Sequence, residues 1–91
     1  MLFVTTYKVK PFISKAETAA LTAVFAEAGK APGEIAHYVD TDGGGGVIVS
    51  ETSDSLPAYR NVLKYTQWLE FETVQDIAID DAAGPILEAL A

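Results

Sequence analysis

The sequence predicts an α+β fold of the ferredoxin-like kind, β-α-β-β-α-β with a helix after the last strand. Three observations carry that prediction. Runs of β-branched and aromatic residues alternate with segments of helical period. A capping box opens the first helical segment, and a glycine run joins two strand-like stretches in the middle of the chain. Two right-handed crossovers then give a four-stranded antiparallel sheet with both helices on one face.

The first strand is Leu2 to Val9, LFVTTYKV, apolar on both parities at its start and bounded by Pro11. Ser14-Lys15-Ala16-Glu17 fits the capping box, in which serine and glutamate satisfy orphan backbone donors reciprocally. Leu21, Val24, Phe25 and Ala28 follow with helical spacing, and Gly29 and Pro32 end the helix near Ala28. Ile35, His37 and Val39 share one face of the next strand, with Ala36, Tyr38 and Asp40 on the other. Gly43 to Gly46 have neither a lysine nor a helix after them, as a phosphate-binding loop requires, so they read as a hairpin turn. Val47 to Thr52 returns as a strand. The cluster Ser53-Asp54-Ser55 with Pro57 starts a second helix over 56–67, whose expected inner stripe is Tyr59, Val62, Leu63 and Thr66. A fourth strand is expected over Leu69 to Ile79. Asp80 and Asp81 then cap a final helix carrying Ile86, Leu87 and Leu90, with Gly84-Pro85 delaying or kinking it.

Composition narrows the function. Ninety-one residues make a single domain over 1–91, with roughly 60–65% of the unfolded surface buried on folding, so a partner subunit helps. One sheet face has no cover in the chain yet carries Tyr38, Ile48 and Leu2 or Val4, which predicts a homodimer through packed sheet faces. The net charge of −7 argues against nucleic acid and anionic lipid as partners. No cysteine is present, which excludes a disulfide frame and a thiolate nucleophile. With one histidine besides, neither a metal site nor a cofactor motif is expected. No apolar run reads as a signal peptide or a membrane span, so a cytoplasmic location is expected.

The candidate chemistry centres on His37 and Glu51. With an odd hairpin loop the two residues face each other, and a histidine beside a carboxylate in a desolvated place can exchange a proton near neutral pH. With an even loop His37 faces Thr52 and Glu51 moves to the other face. The odd register is favoured because it groups the more apolar side chains. Tyr7 would orient a substrate oxygen, and Trp68 would line an aromatic pocket. Glu70 and Glu72 read as an exposed strand face.

Three segments, VTTY at Val4–Tyr7, VIVSET at Val47–Thr52 and WLEFETV at Trp68–Val74, carry a resemblance to a family. The whole chain resembles the dimeric α+β barrel superfamily, relatives of antibiotic-biosynthesis monooxygenases and muconolactone isomerase. More narrowly, it resembles a bacterial family of small domains of unknown function. The resemblance implies a pocket between sheet and helices, and it transfers no reaction. On the residues themselves, the function expected is cofactor-independent acid/base or oxygen-transfer chemistry on a small organic molecule, with His37 and Glu51 as its centre, or else a non-enzymatic ligand-binding or assembly role. The narrow family often has tryptophan where this chain has Tyr7.

Overall fold

A computed structural model describes all 91 residues. The elements run β1 (Leu2–Val9), α1 (Lys15–Ala28), β2 (Glu34–Val39), β3 (Gly45–Glu51), α2 (Leu56–Leu63), β4 (Leu69–Asp76) and α3 (Ile79–Leu90). The strands form one antiparallel sheet in the order β2-β3-β1-β4. The fold is therefore ferredoxin-like, as the order of periods predicts.

Strand β1 lies between β3 and β4 and sets both faces. Thr5 pairs with Ile48 on one side and Thr73 on the other, and Tyr7 pairs with Gly46 and Phe71. Phe3, Thr5, Tyr7 and Val9 point toward the helices, so Ile48 and Ser50 do as well. The uncovered face carries Leu2, Val4, Val47, Val49 and Val74 with Tyr38. Ile48, expected on that uncovered face, is thus on the helix side, because its partner Thr5 is.

The capping box of α1 forms as expected: Glu17 N–H donates to Ser14 Oγ at 3.1 Å and Ser14 N–H to Glu17 Oε1 at 3.2 Å. Helix α1 turns Leu21, Val24 and Ala28 toward a core of Tyr65, Trp68 and Leu69. Helix α2 is shorter than its pattern suggests and ends at Leu63, and the chain turns through Tyr65 to enter β4. Its expected inner stripe is rotated. Ala58 and Val62 face the sheet and Tyr65 continues their line inward, whereas Leu56 at 48% and Leu63 at 50% exposure face out and Tyr59, 61% exposed, sits at the rim of a hollow beneath α2. Strand β4 stops at Asp76 rather than Ile79, and α3 runs through Gly84-Pro85 with Asp80 and Asp81 in its first turn, not at its cap. The hairpin differs too: Gly43 alone of the four glycines has positive φ, while Gly45 and Gly46 lie inside β3.

The layer between sheet and helices is thin. Only 8 of 91 residues are buried, and two hollows of ≈ 250 and ≈ 320 Å³ share Ala31, Ile48, Asn61 and Phe71 on their walls. Every residue of α3 except Ala82 is exposed, so α3 stands away from the body. The radius of gyration is 16.0 Å, against about 12 Å for a compact chain of this length. No helix is long and apolar enough to cross a membrane.

One backbone position is strained. Phe12, fully exposed in the β1–α1 loop, has φ 65, a left-handed conformation that disfavours a side chain with a Cβ. Phe12→Gly should raise stability by about 0.5–1 kcal/mol. Urea unfolding checks this, and an unchanged or lower midpoint would count against strain at that residue.

Candidate functional site

The larger part of the site is built by β2. Its hairpin closes tightly: Asp40 N–H donates to the Gly45 carbonyl at 2.8 Å, Gly43 N–H to the Asp40 carbonyl at 3.0 Å and Gly44 N–H to Asp42 Oδ1 at 2.7 Å. This loop is even, with Thr41 to Gly44 between the closing pair, and it sets Val39 opposite Gly46 and His37 opposite Ile48. His37 therefore meets neither Glu51 nor Thr52, the two partners expected from the sequence. Glu51 lies on the uncovered face, opposite Leu2, where its Oε1 accepts from the Met1 amino group at 2.9 Å. The His37–Glu51 pairing is not formed.

Another carboxylate takes that place. The register of β2 against β3 shifts at Ile35, between Glu34 opposite Ser50 and Ala36 opposite Val49. The extra residue of this bulge brings Glu34 onto the same face as His37, three positions away, where simple alternation would put it on the other face. Glu34 Oε1 lies 3.6 Å from His37 Nδ1, with the two side chains 11% and 17% exposed.

On its other side His37 Nε2 is 2.7 Å from the Tyr7 hydroxyl. At 3.6 Å the carboxylate is beyond a direct hydrogen bond, but its charge favours a proton on Nδ1; Nε2 is then the acceptor and the phenol donates. Burial first, and then the negative charges of Asp40 and Glu34, raise the Tyr7 pKa from 10.0. The hydroxyl accordingly stays a donor through the neutral range. Aromatic contacts fix both rings: Tyr7 meets His37 edge-on with centroids 5.6 Å apart, and Phe25 lies 6.0 Å from His37.

The glycines matter here for volume rather than for turning. A Cβ on Gly46 would come within 2.5 Å of both the Tyr7 hydroxyl and the Tyr38 carbonyl, so the Tyr7 ring occupies the space that a side chain at 46 would fill. The ≈ 250 Å³ cavity above is walled by Leu21, Phe25, Tyr65 and Phe71, with Glu34, His37 and Tyr7 on its floor. The wall is mainly apolar and contains no lysine or arginine. Trp68, expected in the pocket, is 7% exposed and packs in the core with Tyr65 and Leu69 instead, where its Nε1 has no hydrogen-bond partner. Tyr65 and Phe71 supply the aromatic wall in its stead.

A model described as "Domain of unknown function (DUF3303)" matches residues 1–90. The chain belongs to this family. No curated protein matches it. The DUF3303 match spans β1 through α3, so every side chain of the cavity floor and the outlying helix fall within it.

The seating of Tyr7 has a direct test. Gly46→Ala should destabilise the protein by about 1–3 kcal/mol, since a rigid strand carbonyl limits relaxation. It should also break the bond from Tyr7 to His37. Urea unfolding gives the first quantity, and the His37 ring nitrogen shifts in NMR spectra give the second. Wild-type shifts in the variant would mean that Tyr7 does not depend on the glycine.

Proposed function

We propose that this DUF3303 protein binds a small, uncharged, largely apolar organic molecule and moves a proton on it without a cofactor. The observation that carries this reading is the 2.7 Å contact between Tyr7 and His37, with Glu34 behind the imidazole, at the floor of an apolar cavity. A ligand carbonyl takes the hydrogen bond of Tyr7, which frees His37 Nε2. The imidazole then accepts a proton from the carbon beside that carbonyl, and the Tyr7 hydroxyl stabilises the enolate oxygen. Glu34 holds the ring and balances the imidazolium. In a β,γ-unsaturated carbonyl the enolate is conjugated with the double bond, and return of the proton to the γ carbon completes an isomerisation with no net change in protons or electrons. Oxygen transfer, the other chemistry expected from the sequence, has less support, because a phenol, an imidazole and a carboxylate are proton-exchanging groups.

The assembly we propose is a homodimer joined through the uncovered sheet face, as in dimeric α+β barrels. Leu2, Val4, Val47, Val49 and Val74 support it, being a contiguous apolar surface on the three adjacent strands β3, β1 and β4. The same surface supports a second reading, a non-enzymatic ligand-binding or assembly module in which the cavity only holds its ligand.

Deuterium uptake separates the two readings. A panel of small ketones, lactones and enones is incubated with the protein in D₂O and followed by proton NMR. Catalysed exchange at carbon is expected for at least one compound, with a fall of about 10²–10⁴-fold in His37→Ala. Tyr7→Phe and Glu34→Gln should lose activity to a smaller degree, and Glu51→Gln should lose none. Binding without exchange across the panel would favour the module. For the assembly, sedimentation at micromolar concentration should show a dimer for a chain whose α3 stripe is broken by Ile86→Asp with Leu90→Asp, and a folded monomer when Val49→Lys is added to it. A monomer already without Val49→Lys would refute the sheet-face dimer.

A further inference from the structure

Helix α3 is an amphipathic helix with nothing against it. Ile79, Ala83, Ile86, Leu87 and Leu90 fall on one side of it, with Asp81 and Glu88 opposite and Asp80 at the border. Ile79, Leu87 and Leu90 are 74%, 68% and 79% exposed. A twelve-residue helix of this composition is marginal on its own in water, and packing of its apolar stripe is what ordinarily stabilises such a helix.

Its own body offers no such packing in this structure. The connection is Ile77-Ala78, which has no glycine, proline or asparagine to reverse the chain, and Ala78 is extended with φ −62 and ψ 146. That conformation carries α3 beyond the end of β4 and stretches the molecule to 57 Å.

The body does carry a complementary surface. Leu56, Tyr59 and Leu63, at i, i+3 and i+7, form the exposed stripe of α2, and Arg60 and Lys64 border it. No acidic residue occurs between Ser55 and Gln67, whereas from Tyr65 to the C-terminus there are six acidic residues and no basic one. One helix is thus apolar and anionic, and the other apolar and cationic. The amount of surface left open also points to a partner. The accessible area is 6528 Å², against about 5,100 Å² for a compact monomer of this mass. The excess of about 1,400 Å² is more than the ~800 Å² that each partner contributes to a stable interface of ordinary size.

We propose that α3 is an exchanged arm whose apolar stripe docks on α2 of a second copy of this chain. Asp80, at the border of that stripe, approaches Arg60 and Lys64 there, while Asp81 and Glu88 stay on the solvent side. The contact lies on the helix side of the protein. It is independent of the sheet-face dimer and of the proton chemistry proposed above.

The absence of cysteine allows a clean test. Leu56→Cys, Tyr59→Cys and Leu63→Cys are each mixed with a mass-tagged Leu87→Cys chain and oxidised gently. At least one of the three mixtures should give mainly the mixed disulfide between the two chains, in several-fold excess over either like pair. Ile86→Asp with Leu90→Asp, placed in the Leu87→Cys chain, should cut that yield several-fold, and 0.5 M salt should cut it as well. Both aspartates lie outside the body, so the circular dichroism of the sheet should be unchanged. If none of the three mixtures favours the mixed disulfide, the exchange is wrong. It is equally wrong if a chain carrying both Leu63→Cys and Leu87→Cys closes on itself in the presence of excess wild-type protein.

Discussion

The β-bulge at Ile35 is the constraint on which the site depends. A regular strand would send Glu34 and His37 to opposite faces, leaving the imidazole with a phenol on one side and nothing to hold the other. One extra residue corrects the parity on a single side of the bulge and leaves the rest of β2 in register with β3. Gly33, just before the strand, makes the approach feasible. It has φ 68, and any Cβ there would strike the Glu51 carbonyl, whose own N–H donates to the Gly33 carbonyl at 3.0 Å. The chain is therefore pinned at Gly33 and at the hairpin, and the surplus residue between those points is absorbed at Ile35, which is 64% exposed.

Most of the fold was legible because its signals are local. The Ser14 capping box, the Leu21–Ala28 stripe and the β-branched runs each state their structure within a few residues, and each stands in the chain as read. The rotation of α2 was not legible. Tyr59 and Leu63 have the spacing of a buried stripe, but so do Ala58, Val62 and Tyr65, and only the turn into β4 decides which set faces inward. The site was half legible. Tyr7 and His37 stood out as the aromatic hydroxyl and the lone histidine, and both are on the cavity floor. Glu34 was hidden because alternation, the rule that usually assigns strand faces, fails at a bulge. The place of Trp68 was not legible, because aromatic character alone does not separate a pocket wall from a core, and a neighbouring turn buries it.

The thinness of the core joins these observations. With two hollows under the helices, little apolar area stabilises the body from within, and the sheet's hydrogen bonds tie β1 to both its neighbours more firmly than side chains tie the helices down. An open interior gives a ligand room, and it leaves the apolar groups on α2, α3 and the uncovered sheet face as the remaining reserve of burial. Surface that a larger protein would hide in its own centre lies here on the outside.

Tyr7 and Gly46 belong to adjacent strands, yet they share one parcel of space. The phenol ring fills what a side chain at 46 would otherwise occupy. Neither residue is then free to change size alone. A bulkier residue at 46 requires a shorter one at 7, and a ring extended beyond tyrosine would have to lean into the cavity, since the strand beneath it has no slack to give. The width of the cavity is set from below, by the missing Cβ of Gly46 on β3, as much as by the walls that surround it.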